Sequence, residues 1–262
     1  MKTAVVQSNI SFENKNYNIE RAYEFIARAS DAGADIILFP EMSFTGFSMN
    51  VFLTGEEDGR TAGLMRAAAK KHNIAIGFGY VNLVRGKGEN HYCITDCSGK
   101  ILSDYTKIHS FAIGGERSDF RSGNSLPDTA SICGADISPF ICYDLRFPEI
   151  FRAVTDRTDI ITVAANWPAA RREHWKTLLR ARAIENQAYV IGINCVGTQD
   201  GIPYSGDSAV IDPLGNTLAE ARPDSEEMIF CDIPDNVSQL RNDFPALQSR
   251  KFDLYRKFYL NI

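Results

Sequence analysis

A cysteine, a glutamate and a lysine stand at points of this sequence where each could take part in catalysis. Cys142 ends the apolar run of residues 138–141, and charged residues follow it at once. This change predicts the junction of a strand and a helix, where backbone N–H groups favour an anion, so we expect the thiol pKa to be lowered. Glu41 and Lys107 also follow apolar segments directly. All three therefore stand where α/β folds place their sites, beyond the carboxyl ends of strands.

Together these side chains have the functional groups that attack on an amide carbon requires. Glu41 can accept the proton of Cys142 and so produce the nucleophilic thiolate. Lys107 and the backbone N–H of Tyr143 can bind the oxyanion of the tetrahedral intermediate. The protonated glutamate can then return its proton to the departing ammonia. The three residues predict an amide hydrolase that works through a cysteine thioester.

Each of these residues also has an ordinary structural interpretation when it is considered alone. A glutamate after a strand is commonly a solvated or capping residue, and a lysine in a polar segment is commonly an exposed charge. A single cysteine is more often part of the core than a nucleophile. Because single motif matches carry a real false-positive risk, it is the combination that favours catalysis.

The composition is that of an ordinary globular protein. The 262 residues include 44% hydrophobic and 23% charged side chains, with a net charge of −5. We expect neither nucleic acid nor an anionic membrane as a partner, because both attract basic proteins. No stretch approaches the roughly 18 apolar residues that cross a bilayer. The N-terminal residues lack the features of a secretion signal, so we expect a cytoplasmic protein.

The cysteines and histidines do not predict a metal site. Six cysteines in a chain of this length do not suggest a disulfide scaffold. His91, Cys93 and Cys97 are the nearest approach to a metal cluster, but the segment that starts at His91 alternates as a strand does. No second pair of ligands follows at a spacing typical of zinc. We therefore expect no metal.

Apolar and amphipathic segments alternate in the order that an α/β fold requires. A strand at 3–8, a helix at 18–32 and a strand at 35–39 predict a parallel crossover unit. Further strands are expected at residues 74–84, 91–96, 100–105, 136–142, 159–164, 190–195, 207–211 and 227–231. Further helices are expected at residues 64–72, 168–188 and 236–244. No linker or repeat interrupts this pattern, which predicts a single α/β domain over 1–262.

The segment 245–262 is unusually rich in aromatic residues for the end of a chain. Its rings belong to Phe252, Tyr255, Phe258 and Tyr259. A solvated tail would not be this apolar, so we expect the segment to pack at the subunit interface of a homodimer.

Three short segments carry a resemblance to a known family. Residues 39–42 read Phe-Pro-Glu-Met, residues 105–109 read Tyr-Thr-Lys-Ile-His, and residues 141–149 read Ile-Cys-Tyr-Asp-Leu-Arg-Phe-Pro-Glu. These segments resemble the three signature blocks of the nitrilase superfamily of carbon–nitrogen hydrolases. Further matches within 174–187 and 206–215 follow in family-like order, so the resemblance covers nearly the whole chain.

The resemblance implies a fold, a set of site residues and an activity. The family fold is a four-layer α-β-β-α sandwich, usually dimeric, with no metal or cofactor. The family's Glu-Lys-Cys triad falls on Glu41, Lys107 and Cys142. A second family glutamate, which holds the lysine and the substrate amide, falls on Glu116. Considered alone, Glu116 would be interpreted as a surface charge in a loop.

Within the superfamily the chain most resembles the omega-amidase branch, which hydrolyses the terminal amide of 2-oxoglutaramate and similar 2-oxo acid amides. This resemblance lies in residues 166–168, which read Asn-Trp-Pro, and in residues 204–208, which read Tyr-Ser-Gly-Asp-Ser. The chain departs from related omega-amidases at 169–173, where they have a phenylalanine and a Thr-Gly pair. A different amidase or a nitrilase of the same superfamily is the alternative, and a catalytically silent binding protein is a remote one.

The carboxylate of a 2-oxo acid amide is best bound by an arginine that donates two hydrogen bonds. Arg171 and Arg172 are the candidates, because positive charge at the start of the predicted helix is otherwise mildly unfavourable. The alternative is that both are exposed at that helix start. Phe47 and Trp167 are expected to shape the pocket wall, as is Phe44 unless it belongs to the core.

The residues around Cys142 also bear on rival mechanisms. Asp144 and Arg146 are expected to form a buried pair that fixes the turn. A Cys-His hydrolase would need His109 or His174 as its base, and we interpret both as structural. Glutamine amidotransferases have glycines beside their cysteine, and serine hydrolases have a Gly-x-Ser-x-Gly elbow. The sequence has neither feature.

Overall fold

The computed structural model describes residues 1–111 and 115–260, with only the backbone of residues 259 and 260. The strands are β1 (Lys2–Gln7), β2 (Ile36–Leu38), β3 (Ala75–Val84), β4 (Lys87–Thr95), β5 (Ile101–Thr106), β6 (Phe120–Arg121), β7 (Ala130–Ile132), β8 (Ala135–Ile141), β9 (Ile160–Ala165), β10 (Tyr189–Asn194), β11 (Val196–Gln199), β12 (Ile202–Ser205), β13 (Ala209–Ile211), β14 (Thr217–Glu220) and β15 (Glu227–Asp232). The helices are α1 (Lys15–Asp31), α2 (Val51–Thr54), α3 (Arg60–His72), α4 (Glu116–Asp119), α5 (Pro148–Val154), α6 (Arg172–Asn186), α7 (Val237–Asp243) and α8 (Phe252–Leu260).

The first sheet contains the parallel unit that the N-terminal sequence predicts. Strands β1, β2 and β3 lie in parallel. Strands β4 and β5 extend the sheet antiparallel on one side, and β15 pairs antiparallel with β1 on the other. The order is β15-β1-β2-β3-β4-β5, with the short β6 paired to β4.

The second sheet has the order β14-β13-β10-β9-β8-β7. Its central strands β8, β9 and β10 are parallel. Strands β7, β13 and β14 are added antiparallel at its edges. Strands β11 and β12 form a separate hairpin.

The two sheets pack face to face, with helices outside each of them. In β2, Ile36 and Leu38 belong to the core between the sheets, whereas Ile37 belongs to the core beneath α1 and α3. A strand that is apolar at every position is buried on both faces, as β2 is. Trp175 and Leu179 of α6 cover the outer face of the second sheet. The expected four-layer α-β-β-α sandwich is confirmed.

The element boundaries differ from the expected ones where polar residues decide them. Helix α1 begins at Lys15 because the side chain of Asn14 accepts a hydrogen bond from the backbone of Tyr17. Strand β4 begins at Lys87 rather than at His91, and its polar first half pairs with β3. The helix expected from Pro168 begins instead with the 3₁₀ turn Ala169–Arg171, and α6 follows it.

The C-terminal segment contains helix α8, whose apolar side chains are exposed when one chain is considered alone. Phe252, Leu254, Tyr255 and Phe258 are all exposed. The side chain of Tyr259 lies outside the described residues. Among the described helices, none is both long and apolar enough to cross a membrane.

Candidate active site

The ends of three strands supply the site, as the position of its residues in the sequence predicts. Glu41 follows β2, Lys107 directly follows β5, and Cys142 directly follows β8. The fourth expected residue, Glu116, is the first residue of the short helix α4 and is buried rather than on the surface. The structure brings all four side chains together.

Lys107 lies between two buried carboxylates. Its Nζ is 2.8 Å from Glu41 Oε1 and 3.0 Å from Glu116 Oε2, and all three side chains are at most 2% exposed. Burial by itself lowers the pKa of Lys107, but the negative charges of Glu116 and Glu41 outweigh it and raise that pKa well above its ordinary value. Lys107 is therefore a permanent ammonium group shared by two carboxylates.

Cys142 occupies a strained turn directly after β8. Its φ is +44°, in the left-handed region that residues with a side chain rarely adopt. It begins the 3₁₀ turn Cys142–Arg146, which leads into α5. The expected junction of strand and helix is thus confirmed. In other hydrolases, a strained turn of this kind exposes the nucleophile to the substrate-binding cavity.

The expected lowering of the thiol pKa is wrong for the resting site. Burial raises the pKa of Cys142, the adjacent carboxylate of Glu41 raises it further, and the charge of Lys107 offsets this only in part. The pKa therefore lies well above its ordinary value. A neutral thiol beside a carboxylate suits general-base catalysis, in which the proton moves as the sulfur attacks.

Two asparagines that the sequence did not identify as site residues hold Glu41 in place. Asn90 Nδ2 donates to Glu41 Oε1 at 2.8 Å and to Glu116 Oε1 at 3.1 Å. The backbone N–H of Asn166 donates to Glu41 Oε2 at 2.9 Å, and its side-chain amide donates to the Glu41 carbonyl at 2.7 Å. The sequence offered two signals: Asn90 directly precedes the alternating segment that starts at His91, and Asn166 begins the Asn-Trp-Pro segment that resembles the omega-amidase branch.

Asp144 fixes the turn that carries Cys142. Its Oδ2 accepts from the Tyr105 hydroxyl at 2.8 Å and from the backbone N–H of Ile141 at 3.2 Å. Its Oδ1 accepts from the backbone N–H of His109 at 3.0 Å. These bonds tie the turn to the segment that follows β5, and so they set the position of the thiol relative to the lysine.

A cleft of about 740 Å³ opens beside Cys142. Its walls include Phe47 and Trp167, which were expected there, and also Tyr143, for which only a backbone role was expected. Phe44 instead belongs to the core, where it is 2% exposed and packs between Phe39 and Phe78. The cleft thus gives the thiol access to a small molecule along a largely aromatic wall.

The two candidate arginines lie in different surroundings. Arg171 lines the cleft, and its guanidinium lies over the ring of Phe111 at 5.4 Å. Arg172 is absent from the described walls of the cleft, and its Nη2 is 2.5 Å from Asp207 Oδ1. Of the two candidates, Arg171 is therefore the one on the described wall of the cleft, whereas Arg172 forms an ion pair with a buried carboxylate.

A second arginine, Arg146, lines the cleft although the sequence did not place it there. Arg146 lies 4.9 Å from the ring centroid of Trp167 and 5.9 Å from that of Tyr143, and its Nη2 is 3.2 Å from His174 Nδ1. The expected buried pair of Arg146 with Asp144 is therefore wrong. Aromatic faces, rather than a carboxylate, hold this guanidinium in place.

Comparison with known proteins identifies the family. The sequence profile of a family described as carbon-nitrogen hydrolase matches residues 2–242. The chain is a carbon–nitrogen hydrolase. It is 34% identical over 255 residues to a 2-oxoglutaramate amidase of Bacillus subtilis, covering 95% of this chain and 97% of that relative. It is 38% identical over 221 residues to an omega-amidase of Escherichia coli, covering 82% and 84% of the two chains.

A solved structure supports the fold of this hydrolase. A CN-hydrolase superfamily protein of Xanthomonas campestris, with an arsenic adduct in its active site, superimposes with a TM-score of 0.89. Its sequence is 30% identical, and the match covers 96% of this chain and 97% of that one. The resemblance to carbon–nitrogen hydrolases that the sequence motifs carry is thereby confirmed over nearly the whole chain.

Residues 112–114, which lie between Phe111 and Glu116 in the sequence, are outside the described residues. Across this gap, the backbone N–H of Phe111 donates to Glu116 Oε2 at 2.6 Å. Within 1–111 and 115–260, no group of three or more histidine, cysteine, aspartate or glutamate side chains is placed to hold a metal ion.

Proposed function

We propose that this hydrolase removes the terminal carboxamide of a small carboxylate-bearing acid, converting 2-oxoglutaramate and water into 2-oxoglutarate and ammonia. The observation that carries the proposal is a buried ammonium group between two carboxylates, one of which lies beside a thiol that lines a cleft. The names of the relatives from Bacillus subtilis and Escherichia coli support this substrate class.

In the first half of the reaction the thiol displaces ammonia. Cys142 Sγ forms a bond to the amide carbon while Glu41 accepts the thiol proton, and the carbonyl electron pair moves onto oxygen. Lys107 Nζ and the backbone N–H of Tyr143 stabilise that oxyanion. The C–N bond then breaks, and Glu41 gives its proton to the nitrogen, which leaves as ammonia.

In the second half, water hydrolyses the thioester. Glu41 removes a proton from the water as its oxygen attacks the thioester carbon, and the same oxyanion contacts apply. The C–S bond breaks, and Glu41 returns the proton to Cys142. Glu116 holds Lys107 in place during both halves and accepts hydrogen bonds from the substrate amide. The enzyme thus returns to its starting state with the acid released.

The carboxylate of the substrate binds at Arg171. This guanidinium lines the cleft and lies over an aromatic ring, whereas Arg172 is engaged by Asp207. A guanidinium can donate two parallel hydrogen bonds to a carboxylate, which also orients the acid chain. Phe47 and Trp167 contact the methylene groups between the carboxylate and the amide.

The test is ammonia release from 2-oxoglutaramate, glutamine, a simple aliphatic amide and a nitrile, with Cys142→Ala as the control. We expect 2-oxoglutaramate to give the highest kcat/KM and the control to give none. Preference for the neutral amide or the nitrile would support the alternative of another amidase or a nitrilase. If no substrate released ammonia and thiol reagents did not label Cys142, a silent binding protein would be favoured.

The proposed enzyme is a cytoplasmic homodimer in which the segment 245–262 packs at the subunit interface. The exposed apolar side chains of α8 support this role for the segment. All six cysteines are free, which is typical of a reducing compartment. Light scattering on the full chain and on a chain that ends at Phe244 tests the interface. A dimer that persists without the segment would contradict this assignment.

A further inference from the structure

Asn90 brings a neutral amide into the buried group of charges around Lys107. It lies in β4 and is 1% exposed. Successive side chains of a strand point to opposite faces, and its neighbour His91 contacts Asp104 rather than the charged group. An amide on a buried face costs free energy unless its polar atoms are bonded, so the partners of Asn90 are informative.

Asn90 is linked directly to all three charged residues of the group. Its Nδ2 donates to Glu41 Oε1 at 2.8 Å and to Glu116 Oε1 at 3.1 Å. Its backbone carbonyl accepts the backbone N–H of Lys107 at 2.9 Å. One residue therefore sets the spacing between both carboxylates and the strand end that carries the ammonium group.

These bonds make the two oxygens of Glu41 unequal. Oε1 accepts from Asn90 and from Lys107, both at 2.8 Å. Among the described residues, the hydrogen-bond donor to Oε2 is the backbone N–H of Asn166. A carboxylate oxygen has about two acceptor sites. Oε1 is thus fully occupied, and Oε2 keeps one site that can accept the proton of Cys142.

The amide of Asn90 has one workable orientation. With Nδ2 and Oδ1 exchanged, a carbonyl oxygen would face the carboxylates of Glu41 and Glu116, and no hydrogen bond could form. In the observed orientation Oδ1 is buried without a hydrogen-bond partner among the described residues. An unpaired buried acceptor destabilises the fold. The orientation is therefore determined by the two bonds to the carboxylates.

A general base must present an acceptor site to the proton that it removes. We propose that Asn90 is a positioning residue for the hydrolysis: together with Lys107 it occupies Oε1 of Glu41, and so it holds the carboxylate with Oε2 free for the thiol proton. This inference rests on the proposed function, because it concerns the general base of that reaction.

The first experiment replaces Asn90 with leucine, which has a similar shape and no donor. We expect kcat for 2-oxoglutaramate to fall about 10- to 100-fold, as the loss of hydrogen bonds to a charged group implies. KM should change little, because Asn90 does not line the described cleft. A loss in kcat without a change in KM is the result expected of a residue that positions the base.

A second variant, Asn90→Asp, should give a different pH profile. An aspartic acid at this position can donate one hydrogen bond while it is protonated, and it adds a third negative charge once it ionises. We therefore expect it to retain part of the activity at acid pH and to lose that activity as the pH rises. A purely structural role for Asn90 would not make the activity of this variant fall as the pH rises.

The matched control is Asn186→Leu, which removes another buried asparagine. Asn186 is 0% exposed and bonds to Thr155 and Arg182, outside the charged group. We expect a lower Tm for this variant and an unchanged kcat. If Asn90→Leu also kept the wild-type kcat, the inference would be overturned. If Asn90→Leu did not fold, a wild-type pH profile in Asn90→Asp would overturn it equally.

A readout without substrate separates this inference from the proposed function. Alkylation of Cys142 by iodoacetamide, followed by mass spectrometry of its peptide, also depends on proton removal by Glu41. In Asn90→Leu the alkylation rate should fall as kcat does, and in Asn186→Leu it should not. Should the wild type release no ammonia from 2-oxoglutaramate, the proposed function fails, and the alkylation rates still decide whether Asn90 positions Glu41.

Discussion

The interior of the site and the wall of the cleft hold positive charge in different ways. In the interior, Lys107 is buried between Glu41 and Glu116 and forms ion pairs with both carboxylates. On the wall, Arg146 and Arg171 lie over aromatic rings and face the cleft. The interior cation already has its counter-ions, whereas the guanidinium groups on the wall remain able to bind an anion.

This difference corresponds to two tasks of an enzyme. Stabilisation of a transition state requires charges that do not move when the reaction occurs, and a buried, fully bonded group meets that requirement. Recognition of a substrate requires donors that a ligand can engage. Substitutions in the interior should therefore act on kcat and stability, and substitutions on the wall should act on KM.

The largest expected effect comes from Glu41→Gln. Glutamine keeps the shape of Glu41 but cannot accept the thiol proton, so kcat should fall by about 10²- to 10⁴-fold, the usual contribution of a general base. Steady-state assays of ammonia release measure this, with circular dichroism to check the fold. Activity within tenfold of wild type would show that another group is the base.

The next effect concerns the charge balance of the interior. Lys107→Met leaves two buried carboxylates without a cation, and a buried charge that loses its partner typically costs about 3–5 kcal/mol. We expect the free energy of unfolding in urea to fall by about this amount and activity to be lost. The control Lys107→Met/Glu116→Gln removes one carboxylate as well. The double variant should regain stability but not activity. If it regained no stability, the loss in Lys107→Met would not result from the unpaired buried carboxylates.

On the wall, Arg171→Gln should raise KM for 2-oxoglutaramate by about 10- to 100-fold, because charge-assisted hydrogen bonds to the carboxylate are lost. KM for a neutral aliphatic amide should be unaffected. Arg172→Gln is the matched control, and its expected effect is a lower Tm with an unchanged KM, because Arg172 pairs with Asp207. Equal changes in KM for both substrates would mean that Arg171 shapes the cleft without binding the carboxylate.

The residue pattern was sufficient to predict an α/β domain and to single out Glu41, Lys107 and Cys142. Alternation of strands and helices is a local property that a chain displays residue by residue, and these three residues follow predicted strands. The four-layer sandwich and the role of Glu116 were implied only by the resemblance of the motif segments to a known family. Glu116 begins a short helix rather than following a strand, so its local sequence does not reveal its role.

Contacts between distant segments were not predictable in this way. Asn90 and Asn166 bond to Glu41 across separations of 49 and 125 residues. The thiol pKa was predicted in the wrong direction because burial and the charge of Glu41 outweigh the local turn. Arg146 was assigned to Asp144 on nearness in sequence, but the cleft provides it with aromatic partners instead.

The smallest expected effect involves a second cation between carboxylates, which lies outside the cleft. His91 Nδ1 is 2.9 Å from Asp104 Oδ1, and its Nε2 is 3.3 Å from Glu89 Oε2. The ring of Tyr80 and the hydroxyl of Thr106 complete its surroundings. Burial by itself lowers the pKa of His91, but its hydrogen bonds and charge interactions with Asp104 and Glu89 outweigh this and raise it.

Like Lys107, His91 lies between two carboxylates, those of Asp104 and Glu89, but this charged triplet lies away from the thiol. A substitution of His91 therefore tests whether such a triplet affects only stability. Because its pKa is raised on folding, its charge stabilises the fold below about pH 6.5, the unfolded value, and this contribution is lost as the pH rises through the folded pKa. We expect His91→Gln to lower Tm by about 2–4 °C at about pH 5.5, with a smaller difference at about pH 8.5. Its kcat should equal that of wild type at both pH values. A reduced kcat would mean that this triplet is coupled to Asn90, its neighbour in β4, and that the separation between the chemical interior and the rest of the sheet is incomplete.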